Sequence, residues 1–143
     1  KYGIERVYLF IGLVPKNKDL YTRLQEGGYI LVYKEVTYDS NGKIKGNCDA
    51  DLVLKVAQDY YEGRLKQALL VTSDGDYSGL ASFLKEKGVF RALLSPSDKC
   101  SFLLRKLNIP IVYLGMLRGK LSRKGRKEKA PGTDESVQGS SSW

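Results

Sequence analysis

The sequence predicts an α/β fold, a largely parallel sheet covered by helices. Short apolar runs alternate with helical patterns along the chain, as they do where parallel strands are joined by helical crossovers. Glycines close the helical patterns at Gly27-Gly28, Gly63 and Gly88, where a helix C-terminus favours them. Two carboxylates, Asp74 and Asp76, follow directly on an apolar run. That is the place, beyond a strand's carboxyl end, where open α/β sheets gather ligands.

Each element has its own signal. Arg6 to Ile11 (RVYLFI) is a short apolar run closed by Gly12 and Pro15, and reads as a buried strand. Leu20, Tyr21 and Leu24 recur at helical spacing before Gly27-Gly28. Tyr29 to Tyr38 (YILVYKEVTY) is rich in β-branched and aromatic residues, the mark of a second strand. Asp39-Ser40-Asn41-Gly42 is a turn, and Lys43 to Gly46 leads onward. Asp49 then caps a helix whose apolar face is Leu52, Val53, Val56, Ala57 and Tyr60.

The second half repeats the alternation. The strand Gln67 to Thr72 is followed by a helix through Leu80, Ala81, Phe83 and Leu84. Val89 to Leu94 (VFRALL) is a strand broken by Ser95-Pro96, and Asp98 or Ser97 caps a helix bearing Phe102, Leu103 and Leu107. Ile109 to Leu114 (IPIVYL) is the last strand, and Pro110 assigns it to a sheet edge.

Composition bounds the chemistry. At 143 residues and 42% hydrophobic content the chain fits one domain with a core. The domain is expected over residues 1–117, with a basic tail over 118–143 that is disordered beyond about residue 122. The net charge is +8 with a pI near 9.4, which suits an anionic partner. Half of that charge lies in the tail, where seven Lys and Arg face three acids. No run approaches the roughly 20 apolar residues of a membrane helix, and no signal peptide opens the chain. Cys48 and Cys100 form no spaced framework, so they read as free thiols of a cytoplasmic protein. There is no histidine, which removes Ser-His-Asp and Cys-His catalysis and imidazole metal sites.

The chemistry-bearing residues fall in two places. One is Asp74-Gly75-Asp76 after the strand ending at Thr72; the other is Lys45-Gly46-Asn47-Cys48-Asp49-Ala50-Asp51 at a helix start. Taken singly, Asp49 reads as a helix cap and Asp-Gly-Asp as a turn. Together, Lys45 to Leu54 and Ala68 to Tyr77 resemble the NYN domain of the LabA type. Its relatives carry K-G-x-x-D, then a strand ending S/T-x-D-x-D-F/Y, then a helix and a lysine–glycine stop. Lys87-Gly88, the strand Val89 to Leu94, and Leu93-Leu94-Ser95-Pro96 continue the match, which runs from about Ile4 to Arg118.

The resemblance implies a three-layer PIN-like (Rossmann-like) fold with helices on both faces of the sheet. It implies a metal-dependent endoribonuclease in which an acidic cluster holds Mg²⁺ or Mn²⁺ and RNA is hydrolysed. By position, Asp49, Asp74 and Asp76 are the implied metal ligands. Thr72 matches the motif's small hydroxyl residue, able to orient a metal-bound water. Asp51 is a supporting acid, and Cys48 is a small buried side chain. Lys45, Lys16 and Lys18 are candidates for phosphate contacts, and Tyr38 and Tyr77 for base stacking.

The chain departs from the family at its start. The family's first strand, with an Asp and then an Asn, is missing, and Arg6 to Ile11 matches the second. The absent strand is central in PIN-like sheets, so its loss would expose two strand edges, inviting pairing with a second copy, and would remove one metal ligand. The ribonuclease expectation therefore attaches to a parent chain that carries this strand, rather than to residues 1–143 alone. The alternative expectation is a non-catalytic RNA-binding or adaptor module using the same cleft and basic tail without turnover.

Overall fold

The computed structural model describes Tyr2 to Ser122. The expected disordered tail lies outside the described residues. Among these residues the fold is α/β with parallel strands and five α-helices, Rossmann-like as the alternation predicts. The described residues fall into two compact units, one up to Lys55 and one that begins at Val56.

In the first unit, β1 (Val7–Gly12) lies parallel to β2 (Tyr29–Lys34), in register from Val7 opposite Tyr29 to Gly12 opposite Lys34. The crossover is α1 (Lys18–Glu26), which packs on β2. Tyr21 is its buried anchor: its hydroxyl donates to the Gly12 carbonyl (3.1 Å) and accepts the Val14 N–H (3.0 Å). Leu20, expected on the same face, is exposed instead.

The expected strand Tyr29 to Tyr38 is in fact two. β2 stops at Lys34, and β3 (Thr37–Tyr38) pairs antiparallel with β4 (Ile44–Lys45) as a small hairpin. Asp39 sets the reversal, because its Oδ1 accepts the N–H groups of Asn41 and Lys43, each at 2.9 Å. Gly42 takes the left-handed φ of +73° that the turn requires. Lys34 and Glu35 are weak strand formers, but Val36, Thr37 and Tyr38 resume the pattern at once, and the run as a whole reads as one strand.

α2 (Asp49–Tyr61) spans the boundary between the units in sequence. Its expected apolar face is only partly covered, with Val53 exposed. Asp59, a charged residue, is buried, and its Oδ1 accepts from Arg64 Nε (3.1 Å) and Nη2 (2.9 Å).

The second unit holds a three-stranded parallel sheet in the order β5 (Ala68–Val71), β6 (Phe90–Ser95), β7 (Ile111–Tyr113). The register shifts between Ala68 and Leu69, which leaves Arg91 as one extra residue on β6, a bulge. β6 is central, with Ala92, Leu93 and Ser95 buried. Leu80, Ala81 and Leu84 of α3 (Ser78–Glu86) and Leu104 of α4 (Phe102–Arg105) complete the core. β7 is an edge strand as Pro110 predicts, although it is shorter than expected and turns into a 3-10 helix at Leu114.

α4 corrects two expectations. Its cap is Ser101, whose Oγ accepts the Leu103 N–H at 3.2 Å, in place of Ser97 or Asp98. With the helix starting there, Leu104 points inward, while Phe102 and Leu103 are exposed.

Among the described residues, β1 pairs only with β2 and β5 only with β6, so each keeps one edge without a strand partner. No helix among these residues is long and apolar enough to cross a membrane.

Candidate metal centre

Beyond β5 the chain is shaped by its own short polar side chains. Thr72 N–H donates to the Leu94 carbonyl (3.0 Å), the last rung toward β6. Thr72 Oγ1 accepts the Asp74 N–H (3.1 Å), and Asp74 Oδ1 accepts the Asp76 N–H (2.9 Å). Asp74 thereby caps the 3-10 turn Gly75–Tyr77, which runs into α3. These bonds fix both acids at the backbone, and both residues stay exposed. Tyr77 is buried beside them, which removes it as a base-stacking candidate and makes it an anchor of the turn.

Serines hold the corner from behind. Ser95 is fully buried at the end of β6. Its Oγ donates to the Ser97 carbonyl (2.6 Å) and shares a hydrogen bond with Ser73 Oγ (3.1 Å), which also accepts the Ser97 N–H (3.1 Å). The Ser73 carbonyl accepts the Ser101 N–H (3.1 Å). The loop after β5 is thus tied both to the loop after β6 and to the start of α4. Ser73 and Ser101 carry no periodic signal in the sequence, where Ser95 and Ser97 read only as a strand break and a helix cap.

Asp49 opens α2 and is half-buried. Leu52 N–H donates to the Cys48 carbonyl (3.0 Å), which puts Cys48 at the cap and Asp49 at the first helical position. Asp49 is therefore not the cap that its residue type suggested. One carboxylate oxygen of Asp74 and one of Asp76 lie within 4.8 Å of each other.

Asp51 is engaged elsewhere, with its Oδ2 2.9 Å from Lys34 Nζ. That hydrogen bond to Asp51 holds the Lys34 ammonium above its ordinary value. Cys48 is buried and its thiol free, as expected. Burial, and then the negative charge of Asp51, push that thiol's pKa up. Lys16 and Lys18 are exposed, in a 3-10 turn and at the start of α1. Lys45 is exposed too, but it belongs to β4 rather than a loop, and its carbonyl accepts the Thr37 hydroxyl (3.2 Å). Tyr38 is exposed on β3.

The donor set is all carboxylate oxygen, the chemistry of a hard divalent cation such as Mg²⁺ or Mn²⁺. The exposure of Asp74 and Asp76 leaves room for waters or a phosphate oxygen beside such an ion.

No family model matches the chain, and no curated protein matches it. The solved structure of a protein of unknown function from Vibrio parahaemolyticus is similar, with a TM-score of 0.58 and 19% identity. The match covers 76% of this chain and 67% of that one. At this identity the likeness concerns the fold alone.

Proposed function

We propose that this chain carries the metal centre of an endoribonuclease of the NYN/PIN-like type, acting on RNA in the cytoplasm. The observation that carries the reading is the pair Asp74 and Asp76 beyond β5, with oxygens within 4.8 Å of each other, to which the sequence motif adds Asp49. These are the acids that the sequence motifs single out. When bound, a Mg²⁺ or Mn²⁺ ion would acidify a coordinated water and neutralise charge on the phosphoryl group under attack. Asp74 and Asp76, with Asp49 as the motif's third acid, would hold the ion, and Thr72 and Asp74 fix the turn through the Asp74 and Asp76 N–H groups. With no histidine in the chain, proton transfer falls to water and carboxylate. The positive net charge supports an anionic substrate, and the two free, buried thiols suit a reducing compartment.

A second reading, a non-catalytic RNA-binding module, draws on one observation: Asp74 spends an oxygen on capping its own turn. Titration with Mn²⁺, followed by cleavage assays on single-stranded RNA, separates the two. The nuclease reading expects saturable Mn²⁺ binding lost in Asp76→Asn, and metal-dependent cleavage lost in the same variant. RNA binding without cleavage, unchanged by Asp76→Asn, would favour the module.

A further inference from the structure

The second unit exposes one aromatic side chain directly beside the acidic corner. Phe102, the first residue of α4, is 66% exposed, far from the burial expected of a phenylalanine in a short helix. Its neighbours in sequence hold it to the corner. Ser101 N–H binds the Ser73 carbonyl, and Ser101 and Leu103 are the side chains that crowd Gly75, between Asp74 and Asp76. Phe102 itself is left turned to solvent. The Arg105 guanidinium lies over its ring at 5.9 Å from the centroid, within the range of a cation–π contact. Lys99 and Lys106 flank the pair in sequence and are exposed.

An exposed ring, a stacked guanidinium and flanking ammonium groups are what unstructured nucleic acid binds: bases stack on the aromatic face while basic side chains follow the phosphates. A paired base offers no free face for this, so the arrangement discriminates by strandedness rather than by sequence. An apolar protein partner would suit Phe102 alone, but it would leave Arg105, Lys99 and Lys106 to be desolvated around it. Charge complementarity favours the polyanion.

We propose that Phe102, backed by Arg105, is a stacking platform for an unpaired base of single-stranded RNA, with Lys99 and Lys106 contacting its phosphates. This deepens the ribonuclease reading and rests on its premise that RNA is the ligand: it names single strands as the substrate class. Because α4 is tied to the corner through Ser101 and Gly75, a base seated on Phe102 delivers its own strand to Asp74 and Asp76.

The test is binding of a fluorescein-labelled oligouridylate to the full chain by anisotropy, in EDTA so that no cleavage occurs. Phe102→Ala is expected to weaken binding about tenfold, and Phe102→Tyr, which keeps the ring, to retain it. Binding of an RNA duplex should be unchanged by Phe102→Ala. Lys106→Ala should lower the salt dependence by about one unit of slope on both ligands. Phe102 is exposed, so the variant is expected to fold, and thermal unfolding checks this. Unchanged oligouridylate binding by Phe102→Ala, an equal loss on duplex, or no binding by the wild-type chain would each overturn the proposal. Mn²⁺-dependent cleavage of the same oligonucleotide is scored separately. A Phe102→Ala binding defect without any cleavage leaves the platform standing and removes the nuclease reading. Cleavage with unaltered KM in Phe102→Ala does the reverse.

Discussion

Gly75 and Ser101 are in contact so close that a Cβ on Gly75 would lie 2.4 Å from Ser101 Oγ. Leu103 Cδ1 would stand 3.1 Å from the same atom. The glycine between the two acids is therefore set by packing: it lets the cap of α4 seat against the turn that presents Asp74 and Asp76.

Gly75→Ala follows from this contact. Ser101 Oγ cannot retreat without giving up the Leu103 N–H it caps, so the methyl must shift α4 or the turn. Overpacking of this kind costs about 1–3 kcal/mol. Thermal unfolding should show the loss. Mn²⁺ affinity should fall as well, because the displaced turn carries two of the three acids. Wild-type stability in Gly75→Ala would mean the contact is slack.

Asp74 has two roles that substitutions separate. Asp74→Asn keeps an oxygen able to accept the Asp76 N–H, while Asp74→Ala removes the cap of the turn. Stability should therefore hold in Asp74→Asn and fall by about 0.5–2 kcal/mol in Asp74→Ala. Mn²⁺ affinity should drop in both, since both lose the carboxylate charge. Calorimetric titration beside thermal melts gives the two readouts. Equal Mn²⁺ affinity in Asp74→Asn and wild type would remove Asp74 from the ligand set.

Ser95 is the buried link of the serine network. Ser95→Ala leaves the Ser97 carbonyl without its 2.6 Å donor and deprives Ser73 Oγ of a partner. Leaving such groups unsatisfied costs about 1–3 kcal/mol. Hydrogen exchange should rise at the Ser97 and Ser101 amides, which both lean on Ser73. Unchanged exchange there would show that the loops hold without the hydroxyl.

The sequence made the alternation of elements, the glycine stops and the Asp74–Asp76 corner legible because each rests on local chemistry. Period, left-handed φ and an acid pair after an apolar run all lie within a few consecutive residues. What escaped it depends on contacts between segments. Thr37 and Tyr38 leave β2 to pair with Lys45 and Ile44 across the Asp39 turn, partners that lie several residues on. Phe102 looked like a core residue because helical spacing groups it with Leu103 and Leu107, yet capping at Ser101 rotates Leu104 inward instead. Asp51 resembled a partner of Asp49 in sequence, but Lys34 on a neighbouring strand claims it.

Cys48 gives a prediction in pH. Its thiol is pushed above the ordinary value, first by burial and then by the charge of Asp51. A folded value above the unfolded one favours the protonated native state. The associated stability is intact below the unfolded thiol's pKa of about 8.5 and is lost as pH rises through the folded value. Melting temperature should fall with pH above about 8.5 in the wild type and less steeply in Cys48→Ala. The Lys34–Asp51 pair adds a slope of the same sign, because Lys34 is also raised, but it acts at higher pH and persists in the variant. Iodoacetamide should label Cys48 slowly in the native protein at pH 8 and rapidly in urea, as mass spectrometry would show. Fast native labelling, or identical pH slopes in the two proteins, would mean that the thiol is neither sealed nor shifted.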